Sequence, residues 1–358
     1  MIKTQLAVNK LLFLVLGIAI LYVGKPFLIP VALAGVLATL FVGIAKKLET
    51  RGLNRALSSL IGVLLIVLAF ATIIALLVWR LSDFSENLAG MQERVLALFE
   101  KLKTWINQTL GISSDQQAAL VDKAEQSIGS SGGSGTILSF AGGTMSILVD
   151  SLLVLVYTFL FLLYRSRLKN FILKLVDNTK KNQTEKIINK SADVSKNYLA
   201  GLALMIVMLW ILYGIGFSVV GVKNALFFAI LCGVLEIVPF VGNITGTSLT
   251  VLATVAQGGG SDKIIGVLIV YLTVQFVQTY ILEPLVVGDQ VNINPLFTII
   301  ALVLGELIWG IGGMVLAIPL LGIIKIICDN VPALQPFGYL IGTDRKKKKS
   351  FFRSKQAS

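Results

Sequence analysis

The run EIVPFVGN, Glu236 to Asn243, interrupts an apolar stretch that extends from about Leu226 to Ala256. It puts a carboxylate, a proline, a glycine and an amide where an uninterrupted apolar helix has no use for them. Pro239 lacks a backbone donor and breaks a helix, and Gly242 lets the chain turn. A second copy follows in ELIWGIGG, Glu306 to Gly313. Glu236, Ile237, Val238, Val241 and Gly242 align with Glu306, Leu307, Ile308, Ile311 and Gly312, and at the same offset of 70 residues NALFF from Asn224 aligns with NPLFT from Asn294. Each copy is an apolar segment broken near its middle, 225–256 by Pro239, Gly242 and Asn243, and 296–327 by Gly305, Gly310, Gly312 and Gly313. Each half holds about a dozen residues, roughly 20 Å of helix at 1.5 Å per residue. That is too short to cross about 30 Å of hydrocarbon.

The rest of the chain supplies the membrane. Of 358 residues, 56% are hydrophobic and only 14% charged, against roughly a quarter charged in an ordinary soluble domain. The expected fold is therefore an all-α polytopic membrane protein. Six apolar stretches, 11–24, 27–45, 57–79, 136–164, 199–220 and 264–282, are long enough or nearly so to span. The first follows Lys3 and Lys10 as a signal peptide would, but no small-residue cleavage site succeeds it and Lys25-Pro26 leads into more apolar chain.

Lys and Arg in short loops favour the cytoplasm. The 46–55 loop, the 165–198 loop and the tail with Arg345 and Lys346 to Lys349 are basic, whereas segment 80–143 has five basic residues against seven acidic ones. Both termini are thus expected inside and 80–143 outside. The net charge of +12 is mostly topology, and a lipid surface is a better partner for the tail than nucleic acid.

Five regions follow: N-terminal membrane helices over 1–79, an external helical hairpin and Gly/Ser tether over 80–143, a membrane helix and cytoplasmic amphipathic loop over 144–198, a transport core over 199–330, and a basic tail over 331–358. In the external region Phe84, Leu88, Met91, Val95, Leu98, Leu102 and Trp105 have the spacing of a coiled-coil seam. A second helix from Ser114 to near Gly129 leads into the tether SIGSSGGSG. The hairpin either folds on itself or on the membrane surface, or joins subunits. Phe171, Ile172, Leu175, Val176, Ile187, Ile188 and Val194, set among lysines, predict an amphipathic helix pair in the 165–198 loop.

If each broken segment enters, turns and returns, span 199–220 with hairpin 225–256 and span 264–282 with hairpin 296–327 form two copies in opposite orientation. The core then divides into 199–256 and 264–327, an inverted repeat of the kind that secondary transporters use. Reading each broken segment as one full crossing also leaves the tail inside, so charge alone does not separate the two. Helix ends at mid-depth are tolerated only inside protein or against a wet cavity, where their partial charges hold a polar solute or ion.

The candidate substrate or ion site gathers the side chains near those breaks. Asn243, Thr245, Thr247 and Ser248 lie on the first hairpin, and Gln275 and Gln278 on the intervening span. Small polar residues also serve as helix-to-helix hydrogen bonds. Glu236 and Glu306 are the sharper signal, because an intramembrane carboxyl usually marks a pathway, relay or pair. Desolvation can leave such a group neutral, able to take up and release a proton; the alternative is a hydrated position at a hairpin mouth. Asp150 and Glu283 rank second, with Glu283 before Pro284 reading as a span end.

The motif series E-I-V-P-x-V-G from Glu236, P-x-x-x-G from Pro284, N-P at Asn294 and G-x-x-x-x-G-x-G-G-M-x-L-A-I-P from Gly305 to Pro319 resembles the autoinducer-2 exporter (AI-2E) family of bacterial membrane proteins. The likeness covers nearly the whole chain. It implies a multi-pass protein of the bacterial plasma (inner) membrane, assembled as a homo-pentamer, that moves substrate by an elevator-like shift of its hairpin-bearing part. Family members are linked to export of autoinducer-2, others to sodium or lithium/proton antiport. This chain has Asn294 where many members have histidine, and Asn243 where many have proline; both departures touch the expected site. That site comprises Glu236, Pro239, Gly242, Asn243, Thr245, Thr247, Gln275, Gln278, Asn294, Glu306, Gly310, Gly312 and Gly313.

Enzyme chemistry is poorly provided for. With no histidine, a Ser–His hydrolase or an HExxH zinc protease is excluded, and no G-x-x-x-x-G-K-[ST] phosphate loop occurs. Cys232 and Cys328 have no motif spacing, so no metal site or cofactor is expected. Three functions stay open: export of a small polar solute such as autoinducer-2, cation/proton antiport, and a channel or scaffold in which the repeat merely packs.

Overall fold

The computed structural model describes residues 2–85, 133–239, 241–288 and 292–343. Those residues form helices without a β-strand, apart from one isolated bridge between Ile293 and Gly342. In chain order the helices are α1 (Ile2–Val23), α2 (Lys25–Thr50), α3 (Arg55–Ser85), α4 (Gly133–Lys174), α5 (Lys181–Val220), α6 (Ala225–Leu235), α7 (Val241–Ala256), α8 (Ser261–Val277), α9 (Pro295–Asn330) and α10 (Gln335–Ile341).

Among the described residues, six helices are long and apolar enough to cross a membrane: Lys25–Thr50, Arg55–Leu77, Val149–Lys174, Asn178–Val220, Ser261–Glu283 and Pro295–Asn330. Five of them correspond to expected spans. The sixth is the second broken segment, which reaches this length only by counting through its break, while the expected first span survives as the shorter apolar stretch Leu11–Val23 of α1. The chain is a multi-pass membrane protein.

Two expectations about connections change. The helix pair over 165–198 is not built from separate helices, because α4 runs on to Lys174 and α5 already starts at Lys181. Its amphipathic residues belong to extensions of the two spanning helices, held side by side by Lys169 and Glu185 at 2.7 Å, with Arg165 paired to Glu49 of α2. Continuing an existing helix adds one hydrogen bond per residue, whereas a new helix must be nucleated. The tether is also shorter than expected, since α4 begins at Gly133, within SIGSSGGSG. Most of the external hairpin, with its seam, lies outside the described residues.

One packed core positions the site. Met205, Leu209, Tyr213 and Phe217 of α5 meet Phe228, Ala229 and Cys232 of α6, Ala253 of α7, and Val267 and Val274 of α8. Glycines allow the helices to approach closely, as is usual where apolar burial alone does not drive helices together. Cβ atoms added at Gly201, Gly216 and Gly266 would meet Val286, Val270 and Val220, with Gly266 to Val220 Cγ1 at 2.6 Å and Gly201 to the Val286 carbonyl oxygen at 2.7 Å. As numbers rise along α5 they fall along its neighbour, so the leading helices of the two copies run antiparallel.

The chain doubles back at both breaks. In the first copy, a Cβ at Gly246 would lie 3.2 Å from Cys232 Cα, and one at Gly242 would meet the Leu235 carbonyl oxygen, so α6 and α7 pack back to back. In the second, a Cβ at Gly305 would lie 2.6 Å from the Gly313 carbonyl oxygen and 3.3 Å from Ala317 Cβ. Residues eight apart along a straight helix would be about 12 Å apart. The reversal occurs at Gly310, whose φ of 61° and ψ of −143° lie outside any helix and in a region that only glycine enters readily. The second reversal packs on the N-terminal helices: a Cβ at Gly312 would lie 2.9 Å from Ile29 Cγ2, and Trp309 Nε1 donates to the Leu21 carbonyl at 2.9 Å.

Candidate functional site

Where α6 ends, Glu236 is the first residue past its last turn, and its backbone N–H still bonds to the Cys232 carbonyl. Pro239 then prevents the helix from continuing. The turn closes with Gly242 N–H donating to the Val238 carbonyl at 2.9 Å, which starts α7 directly opposite Glu236. Asn243, in the first turn of α7, donates through Nδ2 to Glu236 Oε1 at 3.0 Å. Gln278, brought in from the far end of α8, donates through Nε2 to the same oxygen at 2.6 Å.

This cluster is closed off. Glu236 is 6% exposed, Asn243 8% and Gln278 1%. Its hydrogen bonding is lopsided, because among the described residues Glu236 Oε2 has no partner although it is buried, nor have Gln278 Oε1 and Thr247 Oγ1. Buried polar atoms are seldom left so without a reason. Thr247 is 7% exposed and four residues after Asn243, one turn further on the same face of α7. The site thus offers one oxygen fixed by two donors and three acceptor oxygens with capacity in hand. It can load a proton on Oε2 or present oxygens to a small cation, which hard cations prefer as ligands.

The remaining candidates divide. Gln275 is half-buried one turn before Gln278, and its Oε1 also lacks a partner. Thr245 and Ser248 are exposed, on the opposite face of α7 from Asn243 and Thr247. Pro239 and Gly242 shape the turn. Gly310, Gly312 and Gly313 shape the second reversal and its contact with α2. Glu306 is exposed on α9 and meets no partner among the described residues. Its repeat mate Glu236 has two donors that Glu306 lacks: at the repeat offset Asn243 corresponds to Gly313, and Gln278 to Met208.

Asn294 has a different task. Its Oδ1 accepts from Phe297 N–H at 2.9 Å, capping α9, and its Nδ2 donates to the Leu340 and Gly342 carbonyls at 2.7 and 3.3 Å. It clasps α10 to the start of α9, near the buried Lys325 that pairs with Asp329 at 2.5 Å. Asn294→Ala is expected to cost about 1–2 kcal/mol through the lost cap. A lowered melting temperature with proton coupling retained would check this.

Sequence reasoning missed Tyr213 of α5 and Tyr271 of α8, both near enough to feel the charge of Glu236. No local pattern marks them, since only helix packing brings them there. Cys232 lies 3.7 Å from Thr250 Oγ1 within the same packed unit.

Residues 11–333 match the model of the AI-2E family transporters. The chain belongs to the AI-2E family. It is 25% identical over 349 residues to YueF of Bacillus subtilis, a protein named for transport, covering 90% of this chain and 91% of that one. YhhT of Escherichia coli, also named for transport, is 23% identical over 343 residues, or 94% of each chain. PerM of Escherichia coli, named as a permease, is 25% identical over 345 residues, 91% of this chain and 93% of its own. Family and relatives' names alike point to transport rather than enzymatic turnover. For this AI-2E member the match takes in both chain reversals and the Glu236 cluster.

Proposed function

We propose that this chain is a secondary-active transporter of the bacterial plasma membrane, with both termini cytoplasmic, that exports a small polar solute such as autoinducer-2 in exchange for protons bound at Glu236. The observation that carries this reading is the enclosed Glu236 carboxyl with one oxygen doubly hydrogen-bonded and the other free. A carboxyl in hydrocarbon costs a few kcal/mol on insertion scales and is kept for pathways and relays. The two reversals support a re-entrant placement, with the helix ends at mid-depth facing the solute. The antiparallel α5 and α8 support an inverted repeat that rocks or slides as a unit, in an elevator-like stroke of 199–330. A homo-oligomer, a pentamer in keeping with the family, would hold the remainder of the protein still.

A second reading is sodium or lithium/proton antiport at the same carboxyl. The free oxygens of Glu236, Gln278 and Thr247 favour it, because a small cation would supply the partner that each lacks.

Purified protein in liposomes carrying an internal pH dye separates the two. A proton flux that appears on addition of autoinducer-2 and not of sodium is the expected result for solute export. Flux with sodium alone makes the chain a cation antiporter, and silence to both leaves a channel or scaffold.

A further inference from the structure

Glu236 is enclosed, so a proton that leaves its free oxygen must pass to a neighbouring group. Gln278, which holds the other oxygen, opens a stretch of π-type winding that runs to Gly288. In such winding each backbone hydrogen bond closes at residue i+5, and it is rare and frequently marks functional sites. Glu283 is five residues beyond Gln278 and therefore stacks one turn further along the same face. Unlike Gln278 it is exposed. The stretch is held against α5 by the close approach of Gly201 to the Val286 carbonyl oxygen, and the charge of Glu283 is felt both at the buried Tyr198 of α5 and at Glu236. On the Glu236 side two oxygens, Glu236 Oε2 and Gln278 Oε1, are buried with no partner among the described residues.

We propose that Glu283 is a second proton-binding site, through which Glu236 exchanges protons with the side of the membrane that holds the amino-terminal end of α5. This rests on the reading of Glu236 as the coupling group. The O–H bond at Glu236 Oε2 breaks and the proton forms an O–H bond on the Glu283 carboxylate, directly or through one water. Glu236 is left ionised and Glu283 neutral until it releases the proton to water. The titratable groups close enough to interact with Glu236 are Tyr213 of α5, Cys232 of α6, Tyr271 of α8 and Glu283 itself; Tyr198 of α5 and Glu236 lie within the same range of Glu283. The winding has a use in this scheme: α-helical spacing would rotate residue 283 off the face that Gln278 presents to the carboxyl.

The test compares the full chain with Glu283→Gln, Glu283→Asp and Glu236→Gln in pH-dye liposomes, driven in turn by autoinducer-2 and by sodium, at several pH values on the side of the α5 amino-terminal end. Glu283→Gln is expected to slow proton flux by about tenfold, less than the loss of a direct acid–base group because water can stand in. It should also flatten the dependence on the pH of that side, while Glu283→Asp restores part of both. Wild-type flux and pH profile in Glu283→Gln, with Glu236→Gln silent, overturn the relay and leave the coupling role of Glu236 standing. Equal slowing of both Glu283 variants with the pH profile unchanged also overturns it, as the mark of a packing role. Wild-type coupled flux in Glu236→Gln overturns the coupling role and the relay together.

Discussion

Glu236→Gln is expected to abolish proton-coupled transport, with flux reduced on the order of 100-fold or more, while the protein remains folded. Glutamine has the size of the side chain that it replaces. Its amide oxygen can accept from Asn243 Nδ2 and Gln278 Nε2 as Glu236 Oε1 does now. Only the capacity to ionise is lost, so the melting temperature should stay near that of the wild type. Glu236→Leu is the contrasting case, because it strands two buried donors at a cost of about 1–3 kcal/mol for each group left unsatisfied. Flux in proteoliposomes together with thermal unfolding in detergent separates the two effects. Coupled flux at the wild-type rate in the glutamine variant would refute the role assigned to the carboxyl.

The second large effect is expected at the other reversal. Gly313 faces the Gly305 carbonyl so closely that a Cβ on it would collide with backbone, which cannot swing aside as a flexible side chain can. Gly313→Val adds a branched side chain there and should destabilise by about 1–3 kcal/mol or more through overpacking. Gly17, which has nothing within 4 Å of an added Cβ, supplies the control. Gly17→Ala is expected to leave stability unchanged or raise it by up to about 1 kcal/mol, the helix preference of alanine over glycine. Thermal unfolding of both variants checks the difference; equal melting temperatures would mean that the reversal is not packed as described.

Much of the fold was legible because its signals are short-range. Apolar runs of spanning length give the helices, and the proline and glycines at 239, 242, 305 and 310 give the breaks. Asn243 was legible for the same reason, since a turn seven residues long returns it to Glu236. The continuous helices across 165–198 were not, because basic and apolar residues alternate alike in a separate amphipathic helix and in the extension of a span. The clasp made by Asn294 was not legible either, because the repeat and the family motif mark the residue, whereas its partners Leu340 and Gly342 lie more than forty residues downstream.

By itself, the sequence determined that this is a helical membrane protein with a duplicated, interrupted core and a carboxyl at the same place in each copy. Composition, periodicity and backbone chemistry suffice for that, since each acts within a few turns of chain. Only the tertiary structure decided that the two carboxyls are unlike. The donors of Glu236 come from seven and from 42 residues away and shut it in, whereas the matching positions around Glu306 carry a glycine and a methionine. Whether a polar group is enclosed depends on what the rest of the chain brings to it, and helix packing alone settles that.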